Sequence, residues 1–310
     1  MTWTPEIWGT AAFLDGLREW MRPHTGEVHS MVRVKDRPWS GVWRVDARNG
    51  VFYVKQNCPV LQQEARVVSV LARVAPDLVV PPVAVDVKRD LLLTAETGPT
   101  YREALAAGSA VSWEDLLRDA MLLARASVPV LDELRMPVLD PAGIGELIAR
   151  AGAEWDIPDE FREGADAALD LAGEAGDRLA ALGLPLALNH NDLHDANAFL
   201  VDGRARFFDF GDSVASSPLT ALRIPLAVYA RSIDTTEDDP RVLRLADAAL
   251  EVWSDLVPLD ALRSALPDAH RLAAVARAAT WHRVITSMPI EFVPDDYCGA
   301  DADWLAEAGA

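Results

Sequence analysis

Asp192, Asn197 and Asp209 are the residues of this chain whose types and spacing most clearly suit chemistry. Asn197 follows Asp192 by five positions and Asp209 follows it by seventeen. Two short apolar runs, Ala198–Val201 and Ala205–Phe208, separate Asn197 from Asp209. Asp202 and Gly203 join them, a dipeptide that favours a two-residue hairpin turn. Folding that hairpin brings Asp209 back beside Asn197. A carboxylate, an amide and a second carboxylate then converge at the mouth of a β-ribbon. That set suits phosphoryl transfer. One group orients an acceptor hydroxyl and receives its proton, and two hard oxygen donors hold the magnesium that rides on a nucleotide.

A second chemistry competes for the same segment. His190, Asp192, His194 and Asp195 can be read as metal ligands of a hydrolase, because zinc and iron hydrolases cluster histidine and aspartate. The other histidines, His24, His29, His270 and His282, form no second ligand-spaced pair. The hydrolase reading also leaves Lys55, Asn197 and the hairpin to Asp209 without a role.

Composition bounds the remaining classes. A chain of 310 residues, half of them hydrophobic, can bury the cores of two lobes. It has no run of 18 or more apolar residues, so no membrane span or membrane partner is expected. Met1–Ile7 lacks a basic start, and Pro5, Glu6 and Asp15 interrupt Trp3–Leu17, which does not resemble a signal peptide. Cys58 and Cys298 offer neither a disulfide framework nor a paired metal knuckle. A cytoplasmic protein is the expectation. The net charge of −19 argues against a nucleic-acid partner, which would need a basic surface. It suits a cationic small molecule, or solubility alone.

The elements that must position the three residues follow from periodicity. An amphipathic helix is expected over Pro5–Met21 and strands over Ser30–Lys35, Gly41–Val45 and Val51–Gln56. Apolar residues at helical spacing cover 60–75, and strands Pro82–Val87 and Leu91–Ala95 follow. Gly98 and Pro99 break the pattern, and beyond them it is mostly helical. The expected helices are 101–107, 113–134, 143–151, 159–182, 218–232, 241–256 and 268–287.

The run from His190 through Asp192 to Asn197, followed by Asp209, Phe210 and Gly211, resembles the catalytic segment of protein-kinase-like small-molecule phosphotransferases. It is most similar to the aminoglycoside phosphotransferase family. The resemblance implies an α+β, protein-kinase-like two-lobed fold. Residues 1–97 would form a small β-sheet lobe with one main helix that binds nucleotide. Residues 98–310 would form a mostly helical lobe for catalysis and acceptor binding. The implied activity is phosphotransfer from ATP, or GTP, with Mg²⁺, to a small-molecule hydroxyl acceptor. An antibiotic, such as a cationic aminoglycoside, is the first choice. A metabolite kinase is the alternative, and a catalytically inactive kinase-like binding protein is remoter.

Site residues follow from the same resemblance. Asp192 maps to the catalytic base, and Asn197 and Asp209 to the metal ligands. His190 maps to the histidine that packs the loop. Asp212, after the Asp-Phe-Gly turn, is a candidate to ligate metal through water, or else an N-cap or surface acid. Lys55 maps to the phosphate-contacting strand lysine and Glu64 to its helix partner. Ser40 and Gly41 are candidates to touch the terminal phosphates, and Ala95 and Thr97 lie in the hinge that meets the base. For the acceptor, carboxylates are the candidates: Asp238 and Asp239 in one acidic loop, with Asp234 and Glu237, and Asp295 and Asp296 near the C-terminus, with Glu291. Trp281, His282 and Arg283 are candidates to wall its pocket.

Overall fold

The computed structural model describes residues 3–309, so residues 1, 2 and 310, at the outer limits of the two expected lobes, lie outside the described residues. Five strands, β1 (Val28–Arg37), β2 (Ser40–Ala47), β3 (Gly50–Asn57), β4 (Pro82–Asp86) and β5 (Leu91–Ala95), form one antiparallel sheet in the order β1-β2-β3-β5-β4. Alternation along the strands gives the sheet two apolar faces. Trp43, Val45, Phe52, Val54, Leu91 and Leu93 are buried on one of them, with Trp8, Leu17 and Met21. Leu17 and Met21 belong to α1 (Ala11–Thr25). Val42, Tyr53, Lys55, Leu92 and Thr94 take the other face and line a cleft.

The expected first helix over Pro5–Met21 is in fact split. Pro5–Gly9 is a 3₁₀ turn, and α1 begins only at Ala11. Thr10 is extended, and its hydroxyl accepts the Phe13 N–H, which makes it the N-cap. Beyond β3, α2 (Glu64–Val74) buries Val67, Val68, Val70 and Leu71 in the same core as the helical part of the chain. That core runs from α2 into the helical part, while the α1 face of the sheet has a core of its own.

The helical part contains α3 (Tyr101–Ala106), α4 (Trp113–Ser127), α5 (Leu131–Leu134), α6 (Ile144–Glu154) and α7 (Asp159–Ala181). The single helix expected over 113–134 is broken in two. Pro129, which has no N–H to donate, sits in a 3₁₀ turn between α4 and α5. Two small ribbons follow. β6 (Ala187–Asn189) pairs with β9 (Val214–Ser216), and β7 (Ala198–Val201) pairs with β8 (Arg204–Phe207). The chain continues through α8 (Arg223–Ser232), α9 (Pro240–Leu250), α10 (Leu259–Ser264), α11 (Leu266–Thr286) and α12 (Ala300–Ala308). The sequence pattern does not foresee α10 and α12. α11 packs on α7 and α12 and is buried on all sides through its middle, 272–278, as befits a stretch without a broad polar face.

Candidate active site

The β7–β8 hairpin turns at Asp202 and Gly203, both at positive φ (+54° and +79°), as a two-residue hairpin turn with left-handed centre requires. The ladder closes with the Phe208 N–H donating to the Asn197 carbonyl at 3.1 Å. Asp209 is the next residue, so the hairpin sets it beside Asn197. Asp209 itself is left-handed (φ +67°), a conformation that a short polar residue tolerates. This twist sends the Phe210 N–H to Glu64 Oε1 at 3.0 Å and the Phe210 ring into the core.

On the β3 side, Lys55 Nζ lies 2.6 Å from Glu64 Oε2 and is also ion-paired with Asp209 Oδ1. A second ammonium, Lys35 Nζ, lies 3.2 Å from Asp209 Oδ2. Burial opposes the charge on both Lys55 and Asp209. Their mutual attraction wins, raising the lysine above its ordinary range and holding the carboxylate far below its own. Lys55 and Asp209 are thus both charged at neutral pH.

On the other side of the hairpin, Asn197 donates its amide hydrogens to the Asp192 carbonyl at 2.8 Å and to Asp192 Oδ2 at 3.3 Å. His190 is buried and its Nε2 contacts the Phe208 carbonyl at 2.8 Å, tying the loop to the turn before Asp209. Asn191, at φ +62°, donates to the Asp212 carbonyl and to Thr280 Oγ1, each at 3.2 Å. Asp212 Oδ2 accepts from Arg277 Nη1 at 2.9 Å, and burial raises the Asp212 carboxyl above its usual range.

Lys35, Lys55, Glu64 and Asp209 face one cleft of about 900 Å³, as do Ala95 and Thr97. Its walls are apolar, with Val42, Val80 and Leu92 among them, together with Phe199 and Phe208, whose rings stack 4.6 Å apart. Such a slot fits a planar heterocycle with phosphates reaching the charged end. Ser40 and Gly41 do not line it. They are held in the sheet opposite Asn57 and Gln56, and Ser40 is buried. The glycine at position 41 has a packing reason, since a Cβ there would meet the Trp43 ring at 2.5 Å.

The acidic candidates are dispersed. Asp239 caps α9, accepting from the Arg241 N–H at 2.8 Å and from its guanidinium at 2.8 and 2.9 Å. Asp238 accepts from the Thr236 hydroxyl. Asp295 and Asp296 are exposed in a 3₁₀ turn beside Tyr297. Of the four hydrolase candidates, His194 Nε2 lies 3.9 Å from Asp192 Oδ2, but the other two turn away. His190 is turned to Phe208, and Asp195 accepts from Arg102 at 2.7 Å. Among the described residues no three His, Cys, Asp or Glu side chains form a metal-ligand group.

Arg277 is the residue that sequence reasoning misses. From α11 it reaches the Asn191 carbonyl at 2.7 Å, Asp212 at 2.9 Å and Asp192 Oδ1 at 3.6 Å. Its guanidinium lies 5.8 Å from the Trp281 ring centre and 5.6 Å from that of Trp304. Trp281 also meets Trp39 and Tyr297 at 5.1 and 5.0 Å, an aromatic group joining the β1–β2 turn to the C-terminal segment.

Glu64 is braced by a buried layer. Asn57 Nδ2 donates to Glu64 Oε2 at 2.7 Å and to Asp90 Oδ2 at 3.2 Å, while Asp90 accepts the Ala65 N–H at the start of α2. Burial first, then the neighbouring Glu64, pushes the Asp90 carboxyl up to about 6. Its unfolded value is about 3.9. The folded chain therefore holds a proton that the unfolded chain releases. The resulting stability is full below about pH 4 and is lost as pH rises through 6. The gap between those two values is worth about 3 kcal/mol. Relative to wild type, Asp90→Asn is expected to gain stability as pH rises from 4 to 7, by up to about that amount. Denaturant unfolding at several pH values tests this, and a pH-independent difference would refute it.

No family model matches the sequence, and no curated protein matches it. Solved structures do. The chain is similar to a choline/ethanolamine kinase family protein from Mesorhizobium loti, at 13% identity and a TM-score of 0.62, over 95% of this chain and 93% of that one. It is similar to an amicoumacin kinase solved with AMP-PNP and Ca²⁺, at 12% identity and a TM-score of 0.59, over 98% and 95% of the two chains. A spectinomycin phosphotransferase solved with ADP and spectinomycin matches at 10% identity and a TM-score of 0.55, over 95% and 97%. The fold is that of the kinase-like two-lobed phosphotransferases.

Proposed function

We propose that this chain is a cytoplasmic, ATP- and Mg²⁺-dependent O-phosphotransferase acting on a hydroxyl of a small molecule. The observation that carries the reading is the linked set Lys55, Glu64 and Asp209 at the charged end of an apolar cleft, with Asp192 and Asn197 on the adjoining loop. Residues 1–97 are read as the nucleotide lobe and 98–310 as the catalytic and acceptor lobe.

The hinge at Ala95 and Thr97 and the apolar walls would bind the base, and Lys55 the phosphates. Asp192 would orient the acceptor hydroxyl and take its proton as the oxygen bonds the γ-phosphorus and the bond to the β-phosphate oxygen breaks. The donors suit magnesium: Asp209 supplies a charged carboxylate, and Asn197 has a carbonyl oxygen left after its amide hydrogens go to Asp192. Asp209 and Asn197 would hold the ion, with Asp212 nearby. When bound it would neutralise phosphate charge.

An antibiotic is the first choice of acceptor. A metabolite alcohol is the second, and the choline/ethanolamine kinase similarity supports it. Arg241 engages Asp239, which leaves Asp238, Asp295 and Asp296 as the freer carboxylates for a cationic acceptor. A nucleotide-consumption screen across aminoglycosides, other hydroxylated antibiotics, amino sugars and choline-like alcohols tests the reading. Activity should vanish in chelator and return with Mg²⁺, and Asp209→Asn should raise the Mg²⁺ needed for half-maximal rate. Turnover that persists in excess chelator would reject the assignment.

A further inference from the structure

We propose that Lys35 is a second side-chain ligand for nucleotide phosphates, aimed into the cleft by a β-bulge and held on Asp209 until a nucleotide arrives. The proposal rests on the phosphotransferase reading.

The direction of Lys35 is not what strand alternation dictates. Arg33 stands opposite Trp43, and its guanidinium lies over the Trp8 and Trp43 rings, on the face packed against α1. An unbroken strand would return Lys35 to that same face. The register instead slips between Arg33 and Lys35, so that Lys35 stands opposite Val42, a residue of the cleft wall. Val34 and Lys35 are sequence neighbours, yet both line the cleft. One inserted residue explains this, and bulges commonly re-aim a side chain beside a site.

The charge arrangement gives the re-aimed ammonium a task. Lys55 is pinned, with its side chain 13% exposed between Glu64 and Asp209. Lys35 is 47% exposed, and its ammonium pairs with the second oxygen of Asp209. Two ammonium groups and two carboxylates meet at this end of the cleft. Entering phosphates compete with Asp209 for the looser ammonium, whose flexible four-carbon stem lets it follow them. The β1–β2 turn itself offers few donors to phosphate. Pro38 has no N–H, and Ser40 and Gly41 lie in the ladder with β3. A side-chain cation thus stands where loop amides would otherwise serve.

The test is calorimetric binding of adenosine, and of ADP and AMP-PNP with excess Mg²⁺, to wild type, Lys35→Met, Lys35→Arg, Lys55→Met and Lys88→Met. Circular dichroism checks that each is folded. Lys35→Met should weaken ADP and AMP-PNP about 10- to 100-fold, the range for losing a charge-assisted hydrogen bond. Adenosine should be unaffected. Lys35→Arg should recover most of the loss, and Lys88→Met should match wild type. Wild-type ADP and AMP-PNP affinity in Lys35→Met overturns the proposal, and so does an equal weakening of adenosine. Nucleotide binding that Lys55→Met abolishes while Lys35→Met leaves it untouched removes Lys35 alone. A wild-type chain that binds no nucleotide removes the phosphotransferase reading with it.

Discussion

Asp192→Ala is expected to lower turnover of the acceptor found by the screen by about 10²–10⁴-fold, the usual contribution of a positioned acid–base group. The nucleotide KM should stay near wild type, because Asp192 does not line the apolar cleft proposed for the nucleotide and bonds to neither Lys55 nor Glu64. Asp192→Asn sharpens the test. It keeps the side chain's shape and its place beside Asn197 and Arg277 but takes no proton. The same fall in kcat for both variants supports the base. A group acting only in the transition state lowers kcat and kcat/KM together. If Asp192→Asn turns over at the wild-type rate, Asp192 positions the loop and another group takes the proton.

Arg277→Met is expected to destabilise the fold strongly. The arginine is 8% exposed and ties three points of the site together: the Asn191 carbonyl, Asp212 and Asp192. Methionine fills much of the volume but leaves the Asp212 carboxylate without its cation. Breaking a buried pair costs about 3–5 kcal/mol. Asp212 is 26% exposed, so the lower end, about 3 kcal/mol, is the expectation. Adding Asp212→Asn to the same chain should recover part of the loss, because the uncompensated charge is then gone. Chemical denaturation reads both. A single variant as stable as wild type, or a double variant worse than the single, would contradict this account of Arg277.

How much of this can be read from the sequence depends on how local the cause is. The convergence of Asn197 and Asp209 is legible because a two-residue turn and two apolar runs specify a hairpin without help from the rest of the chain. The placement of Lys55 beside Glu64 comes from the family resemblance; the strand and the helix after it do not by themselves specify the pair. Lys35 is not legible, because alternation assigns it to the wrong face and nothing in the residues 33–35 announces the bulge. Arg277 is not, because one arginine among 26 carries no signal until α11 packs behind the loop. Gly41 reads as a phosphate-loop glycine, whereas the Trp43 ring two residues on accounts for it. The first helix and the 113–134 segment keep their periodicity, but Thr10 and Pro129 move their ends. The acidic loops attract attention by composition alone. Composition does not distinguish a carboxylate waiting for a ligand from one that caps a helix, as Asp239 does.

The scarcity of lysine has a practical consequence. The chain carries 26 arginines but only Lys35, Lys55 and Lys88 as side-chain amines. Acylation needs a neutral amine, and the two carboxylates around Lys55 keep its proton on. Lys88 stands exposed in the turn between β4 and β5. Lys35, half-exposed and paired once, is intermediate. An amine-acylating reagent followed by peptide mass spectrometry therefore reads a built-in three-point scale. Lys88 reports reagent strength, Lys55 reports whether the fold is intact, and Lys35 is the amine that an occupant engaging it would shield, without any residue being substituted.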